Sequence, residues 1–170
     1  LGELTEEMFK EYIVINKRRW QALERGEMTK PEVTEGRFVE FFAKYGIDTS
    51  VAPAFNDRYQ ELLGETIVFN DDAYTIVKDL KGKIPQGAAT NGTKKAQTGK
   101  LKNSGLGELF DVVFISEEIG AEKPAVEFFN HVMADLNTRV ENLKADEVLM
   151  IGDSLTSDIK GANNAGMIAC

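Results

Sequence analysis

Apolar positions in the first third of the chain recur at helical spacing. Thr5, followed by Glu6 and Glu7, forms a helix start, and Met8, Tyr12, Ile15, Trp20 and Leu23 then fall close to one face before Gly26. Thr29 and Pro31 open a second helix, whose stripe of Phe38, Phe41, Phe42 and Tyr45 is closed by Gly46. Phe55, Tyr59, Leu62 and Leu63 mark a third. Helices joined by short links predict a small antiparallel bundle, with the aromatic stripe as its core.

Beyond it the pattern alternates. Asp71 or Asp72 caps a helix carrying Ala73, Ile76, Val77 and Leu80, ended by Gly82. A weak strand runs from Gln86 to Thr90, a helix follows from Lys94 to Ser104, and Asp111–Ile115 is a second strand. Pro124 opens a helix bearing Phe128, Phe129, Val132, Met133 and Leu136. The run Val148-Leu149-Met150-Ile151 is a buried strand, Asp158 starts a helix with Ile159, Ala162 and Ala165, and Met167–Cys170 begins a last strand. Alternation of this kind predicts an α/β unit, a parallel sheet covered by helices.

Composition narrows the class only a little. A net charge of −8 argues against a nucleic-acid polymer as partner but permits a small anionic ligand. The single cysteine, Cys170, allows no internal disulfide and fits a reducing, cytoplasmic setting. No apolar run reaches the roughly 18–20 residues of a membrane span, and the acidic amino end does not read as a signal peptide.

Three loops carry chemistry, each after a strand and before a helix. In Thr90-Asn91-Gly92-Thr93 a hydroxyl, an amide and backbone freed by glycine are donors suited to phosphate oxygens. In Lys123-Pro124 a cation stands at a helix start. In Gly152-Asp153-Ser154-Leu155-Thr156-Ser157-Asp158 two carboxylates converge, and hard oxygen ligands so placed suit Mg²⁺. Asn-Gly alone is usually a turn, Lys-Pro a solvated loop end, and either aspartate a turn or helix-start residue. The shared order of the three loops is what points to phosphoryl chemistry. His131 falls among packed helix positions, Cys170 reads as a small apolar residue, and Lys94, Lys95, Lys100 and Lys102 form a solvated helix face.

Thr90-Asn91-Gly92, Lys123-Pro124 and the Gly152–Asp158 segment resemble the second, third and fourth motifs of the haloacid dehalogenase (HAD)-like hydrolases, and the resemblance covers nearly the whole chain. It implies a Rossmann-like parallel core sheet with helices on both faces, residues 69–170, and a small α-helical cap, residues 1–68, hinged near Thr66–Asp71. Val14-Ile15-Asn16-Lys17, Gly36-Arg37-Phe38 and Ile115-Ser116-Glu117-Glu118 are similar to the pyrimidine 5′-nucleotidase subgroup, implying a nucleoside 5′-monophosphate as substrate. By resemblance Thr90 binds the transferring phosphoryl group with Asn91 and Gly92 beside it, Lys123 neutralises nucleophile and phosphate, Asp153 ligates Mg²⁺, and Asp158 holds the metal's water shell. Catalysis would pass through a phosphoaspartate. The family's first motif, Asp-x-Asp on a strand before the cap, is not found ahead of the bundle. The expectation is a longer native chain, whose added strand lies between those ending at Thr90 and Asp153. A non-catalytic phosphate-binding domain is the alternative, and a metal-free dehalogenase is disfavoured by the aspartate pair. Oligomeric state is left open.

Overall fold

The computed structural model describes residues 4–70 and 72–170. Two compact units divide at Tyr59/Gln60. The first contains α1 (Glu6–Glu24), α2 (Lys30–Thr34), α3 (Gly36–Lys44) and the start of α4 (Ala52–Glu65). The division falls inside α4, whereas the change of sequence pattern lies beyond it.

Local chemistry accounts for the bundle's ends and for one break. Thr5 caps α1 by accepting from the Met8 amide at 3.2 Å. At α2 the Glu32 carboxylate accepts from both the Thr29 amide (2.7 Å) and its hydroxyl (2.8 Å). The single helix expected from Thr29 to Gly46 is two helices, parted at Glu35. Side chains compete there for backbone carbonyls: Thr34 Oγ1 takes Lys30 O, Arg19 Nη1 takes Glu32 O, and Arg37 Nε takes Thr34 O.

Ile15, Phe38, Phe41, Phe42 and Ala52 form the bundle core. Phe38 is its hub, with the rings of Tyr12, Phe55 and Tyr59 centred 5.7, 4.9 and 5.2 Å away. Geometries between stacked and edge-on suit the ring quadrupoles. Arg37 is buried in this core, its guanidinium 4.8 Å from both the Phe38 and Tyr59 rings. It donates to neutral acceptors, Asn16 Oδ1 at 2.9 Å and Asn56 Oδ1 at 3.4 Å, and burial lowers its pKa.

The second unit carries the rest of α4, then α5 (Ala73–Leu80), β1 (Gly87–Thr90), α6 (Lys94–Ser104), β2 (Val112–Ile115), α7 (Ser116–Ile119), α8 (Val126–Arg139), β3 (Leu149–Met150), α9 (Lys160–Asn164) and β4 (Ile168–Ala169). Asp71 lies outside the described residues. Asp72 precedes α5 without capping it, because its ψ of 12° is not the extended conformation that aims a side chain at the helix start. Strand β1 pairs in parallel with β2, and β3 with β4. Among the described residues no ladder joins β1 to β3. The core of this unit is Phe114, Phe128, Phe129, Val132, Ala162 and Met167. Helix α8 starts at Val126, two residues after Pro124, since Ala125 is still extended (ψ 137°). Asp111 fixes the sheet's lower end, accepting from Lys81 Nζ (2.7 Å) and the Gln86 amide (2.9 Å), which together hold its carboxyl below the usual range.

Candidate active site

Two of the three chemistry-bearing loops leave the carboxyl end of a strand, whereas the Lys123 loop, expected to do the same, follows the short helix α7 because Ser116–Ile119 turns helical directly after β2. Thr90 is the last residue of β1, Lys123 lies between α7 and α8, and Asp158 sits in a π-helical turn, Leu155–Ile159, just after β3. π turns of this sort often occur at functional positions.

The structure brings Lys123 and Asp158 together at the lysine's ammonium and seats Asn91 against the lysine's backbone. Lys123 is 5% exposed and Asp158 6%, and Lys123 Nζ donates to Asp158 Oδ1 at 2.5 Å and to Ala89 O at 2.8 Å. The lysine therefore ties a β1 carbonyl to a carboxylate that follows β3, joining two strand pairs that share no ladder. The Asn91 side chain holds the lysine's backbone on both sides: its Oδ1 accepts from the Lys123 amide and its Nδ2 donates to the Lys123 carbonyl, each at 2.8 Å. The Lys123-Pro124 peptide held in this way is cis. Thr90 is half-buried, and its Oγ1 accepts from the Gly92 amide at 3.0 Å. That leaves the hydroxyl hydrogen to be donated elsewhere.

Asp158 is positioned by neighbours that the motif reading does not single out. Its Oδ2 accepts from the Ser154 amide at 3.2 Å, and Ser154 Oγ accepts from the Ser157 amide at 3.1 Å. Gly152 makes room for the carboxylate, since a Cβ there would stand 2.5 Å from Asp158 Oδ2. Gly161 lets α9 close on α8, since a Cβ there would meet the Phe129 ring at 2.2 Å and Pro124 Cα at 3.1 Å. Gly152 and Ser154 lie within the quoted motif, whereas the sequence signal for Gly161 is a glycine where a helix does not require one.

Asp153, the residue after Gly152, is exposed and makes no hydrogen bond or ion pair among the described residues. Among those residues no group of three or more His, Cys, Asp or Glu gathers as a metal cage. The carboxylates on offer are Asp153, exposed directly after Gly152, and Asp158, buried against that glycine. Mg²⁺ keeps several waters and takes one or two carboxylates plus substrate oxygens, so this oxygen set fits that ion. A depression of about 530 Å³ lies elsewhere, lined by Lys94, Lys95, Thr98, Gly99 and Glu117. Lys94 and Lys95, on the face read as solvated, form surface pairs with Glu118 and Glu61.

A family model, haloacid dehalogenase-like hydrolase, matches residues 3–166, and the chain belongs to that family. It is 36% identical over 98% of its length to the HAD-hydrolase YfnB of Bacillus subtilis, spanning 69% of that protein. A solved structure of YfnB, described as bound to magnesium and as revealing interdomain movement, matches 99% of this chain with a TM-score of 0.88 at 35% identity, over 73% of that chain. The pyrimidine 5′-nucleotidase PynA of Streptococcus pneumoniae is 34% identical over 92% of the chain, which spans 64% of PynA. The pyrimidine 5′-nucleotidase YjjG of Escherichia coli is 29% identical over 98% of the chain, which spans 71% of YjjG.

Proposed function

We propose that this chain is the phosphate-handling part of a Mg²⁺-dependent phosphomonoesterase that hydrolyses nucleoside 5′-monophosphates in the cytoplasm. One observation carries the reading: an ammonium fixed by a buried carboxylate and a strand carbonyl, with a third N–H that meets no acceptor among the described residues. That donor and the Thr90 hydroxyl would take the oxygens of a transferring phosphoryl group. The substrate class is supported by two relatives named as pyrimidine 5′-nucleotidases.

Lys123 would offset the repulsion between a carboxylate nucleophile and a phosphate dianion, and Asp158 holds the lysine in place. Asp153 and Asp158 would hold Mg²⁺, which when bound supplies charge neutralisation at the phosphoryl oxygens. Hydrolysis would proceed through a phosphoaspartate, on the carboxylate that the family's first motif provides.

The test is a panel of nucleoside monophosphates, sugar phosphates and triose phosphates given to the full-length enzyme, with Mg²⁺ and after chelation. Pyrimidine nucleoside monophosphates should be hydrolysed, the activity should vanish with chelator and return with Mg²⁺, and Asp153→Asn should cost about 10²-fold or more. Activity unchanged by chelation and by Asp153→Asn overturns the reading.

A further inference from the structure

The end of α4 lies along α6 through a run of contacts inside the second unit. Gln60 Oε1 accepts from Thr93 Oγ1 at 2.8 Å, and Glu61 pairs with Lys95 Nζ at 2.9 Å. Gly64 and Gly99 approach so closely that a Cβ on either would stand 3.1 or 2.9 Å from the other's Cα, and Gly64 O accepts from Asn103 Nδ2 at 2.9 Å. The Glu61 pair is at the surface and contributes little. The glycine approach is packing. The first contact differs in kind, because Gln60 is 5% exposed and its partner ends the loop that begins at Thr90.

Thr93 is the cap of α6, its Oγ1 accepting from the Ala96 amide at 3.3 Å. A hydroxyl that donates to Gln60 is oriented so that a lone pair faces that amide. At the other end of the loop, Asn91 is fixed to the Lys123 backbone and Gly92 to Thr90 Oγ1. The segment from Thr90 to Thr93 is therefore anchored twice, once by Lys123 and once by Gln60. We propose that Gln60 is a positioning residue for the phosphate loop, acting through the Thr93 hydroxyl. This rests on the phosphatase reading above and adds a residue distant from every motif that supports it.

The experiment uses the full-length enzyme with Gln60→Met, which keeps volume and helix propensity but removes the acceptor, and with Thr93→Val, Thr93→Ser and the Gln60→Met/Thr93→Val double variant. Inorganic phosphate is titrated by calorimetry, p-nitrophenyl phosphate kinetics give KM and kcat, and hydrogen exchange is followed over residues 90–97. Losing one hydrogen bond at this point should weaken phosphate binding and raise KM together by about three- to tenfold, with a smaller change in kcat. Exchange should quicken at Gly92–Gln97 and not in α8. Thr93→Ser should restore wild-type values, and the double variant should be no worse than Thr93→Val alone. Unchanged phosphate affinity in Gln60→Met overturns the proposal even if exchange quickens, because Gln60 would then only pack. Additive losses in the double variant overturn it too. A wild type that neither hydrolyses p-nitrophenyl phosphate nor binds phosphate refutes the phosphatase reading and this inference with it, whereas a competent wild type with an indifferent Gln60→Met refutes the inference alone.

Discussion

Lys123 and Asp158 form the buried pair on whose energetics most depends. Two charges withdrawn from water are repaid only while both are present, so removing one leaves the other uncompensated. Lys123→Met should lower stability by about 3–5 kcal/mol, and Lys123→Met with Asp158→Leu should recover a large part of that loss. Urea unfolding of the single and double variants measures it, and simple additivity of the two changes contradicts it. The sequence pattern places Thr90 and Asp158 after strands and before helices, as the structure does, whereas Lys123 precedes a helix but follows α7. The partners of these residues were less legible. The ion pair spans 35 positions, and the carbonyl shared with Ala89 belongs to a residue with no functional group of its own. Spacing along a chain does not encode which acceptor a long side chain will find.

At the scale of the element, the bundle shows how far periodicity reaches. The aromatic stripe from Phe38 to Tyr45 marks the buried face, yet the break at Glu35 depends on side chains from α1 and α3 that take carbonyls within α2. Tyr12, on the packed face of α1, has a buried hydroxyl beside the Tyr59 ring and, among the described residues, no hydrogen bond of good geometry. Burial raises its pKa well above the ordinary 10.0, against the opposing charge of Arg37. A raised pKa means the folded bundle keeps the phenol neutral where the unfolded chain ionises it. That stability is complete below pH 10.0 and declines as pH rises through and beyond it. Stability between about pH 9 and about pH 11 should therefore fall more steeply in the wild type than in Tyr12→Phe, by equilibrium urea unfolding. Equal slopes show that Tyr12 is not the group responsible.

For the whole molecule, strand–helix alternation was enough to place the chain in the α/β class, because strands flanked by helices must be covered on both faces. Pairing was not readable in the same way. Val148–Ile151 reads as a four-residue strand but forms a two-residue one, since among the described residues its ladder is made with β4 alone. The chain nonetheless carries cross-links that do not depend on a continuous sheet. Lys123 joins the β1 side to the β3 side, and Gly161 seats α9 against Phe129 and Pro124. Side chains from loops thus do part of what ladders do elsewhere, and loop sequence reports chemistry more readily than it reports such bracing.

The Asn91 clamp bears on how the protein ages. Asparagine followed by glycine is the dipeptide that deamidates most readily, because the unhindered glycine nitrogen can attack the side-chain carbonyl. Here both partners of that attack are occupied. The carboxamide is held on the Lys123 backbone by two bonds, and the Gly92 amide points at Thr90 Oγ1. If the amide were converted to a carboxylate, an oxygen would replace the Nδ2 donor against the Lys123 carbonyl, and attraction would become repulsion. The loop that would grip the phosphate is thus shielded from a slow chemical clock for as long as it stays folded. Peptide mapping after prolonged warm storage should find Asn91 intact in folded protein and deamidated in protein stored in urea, and equal conversion in both would dismiss the shielding.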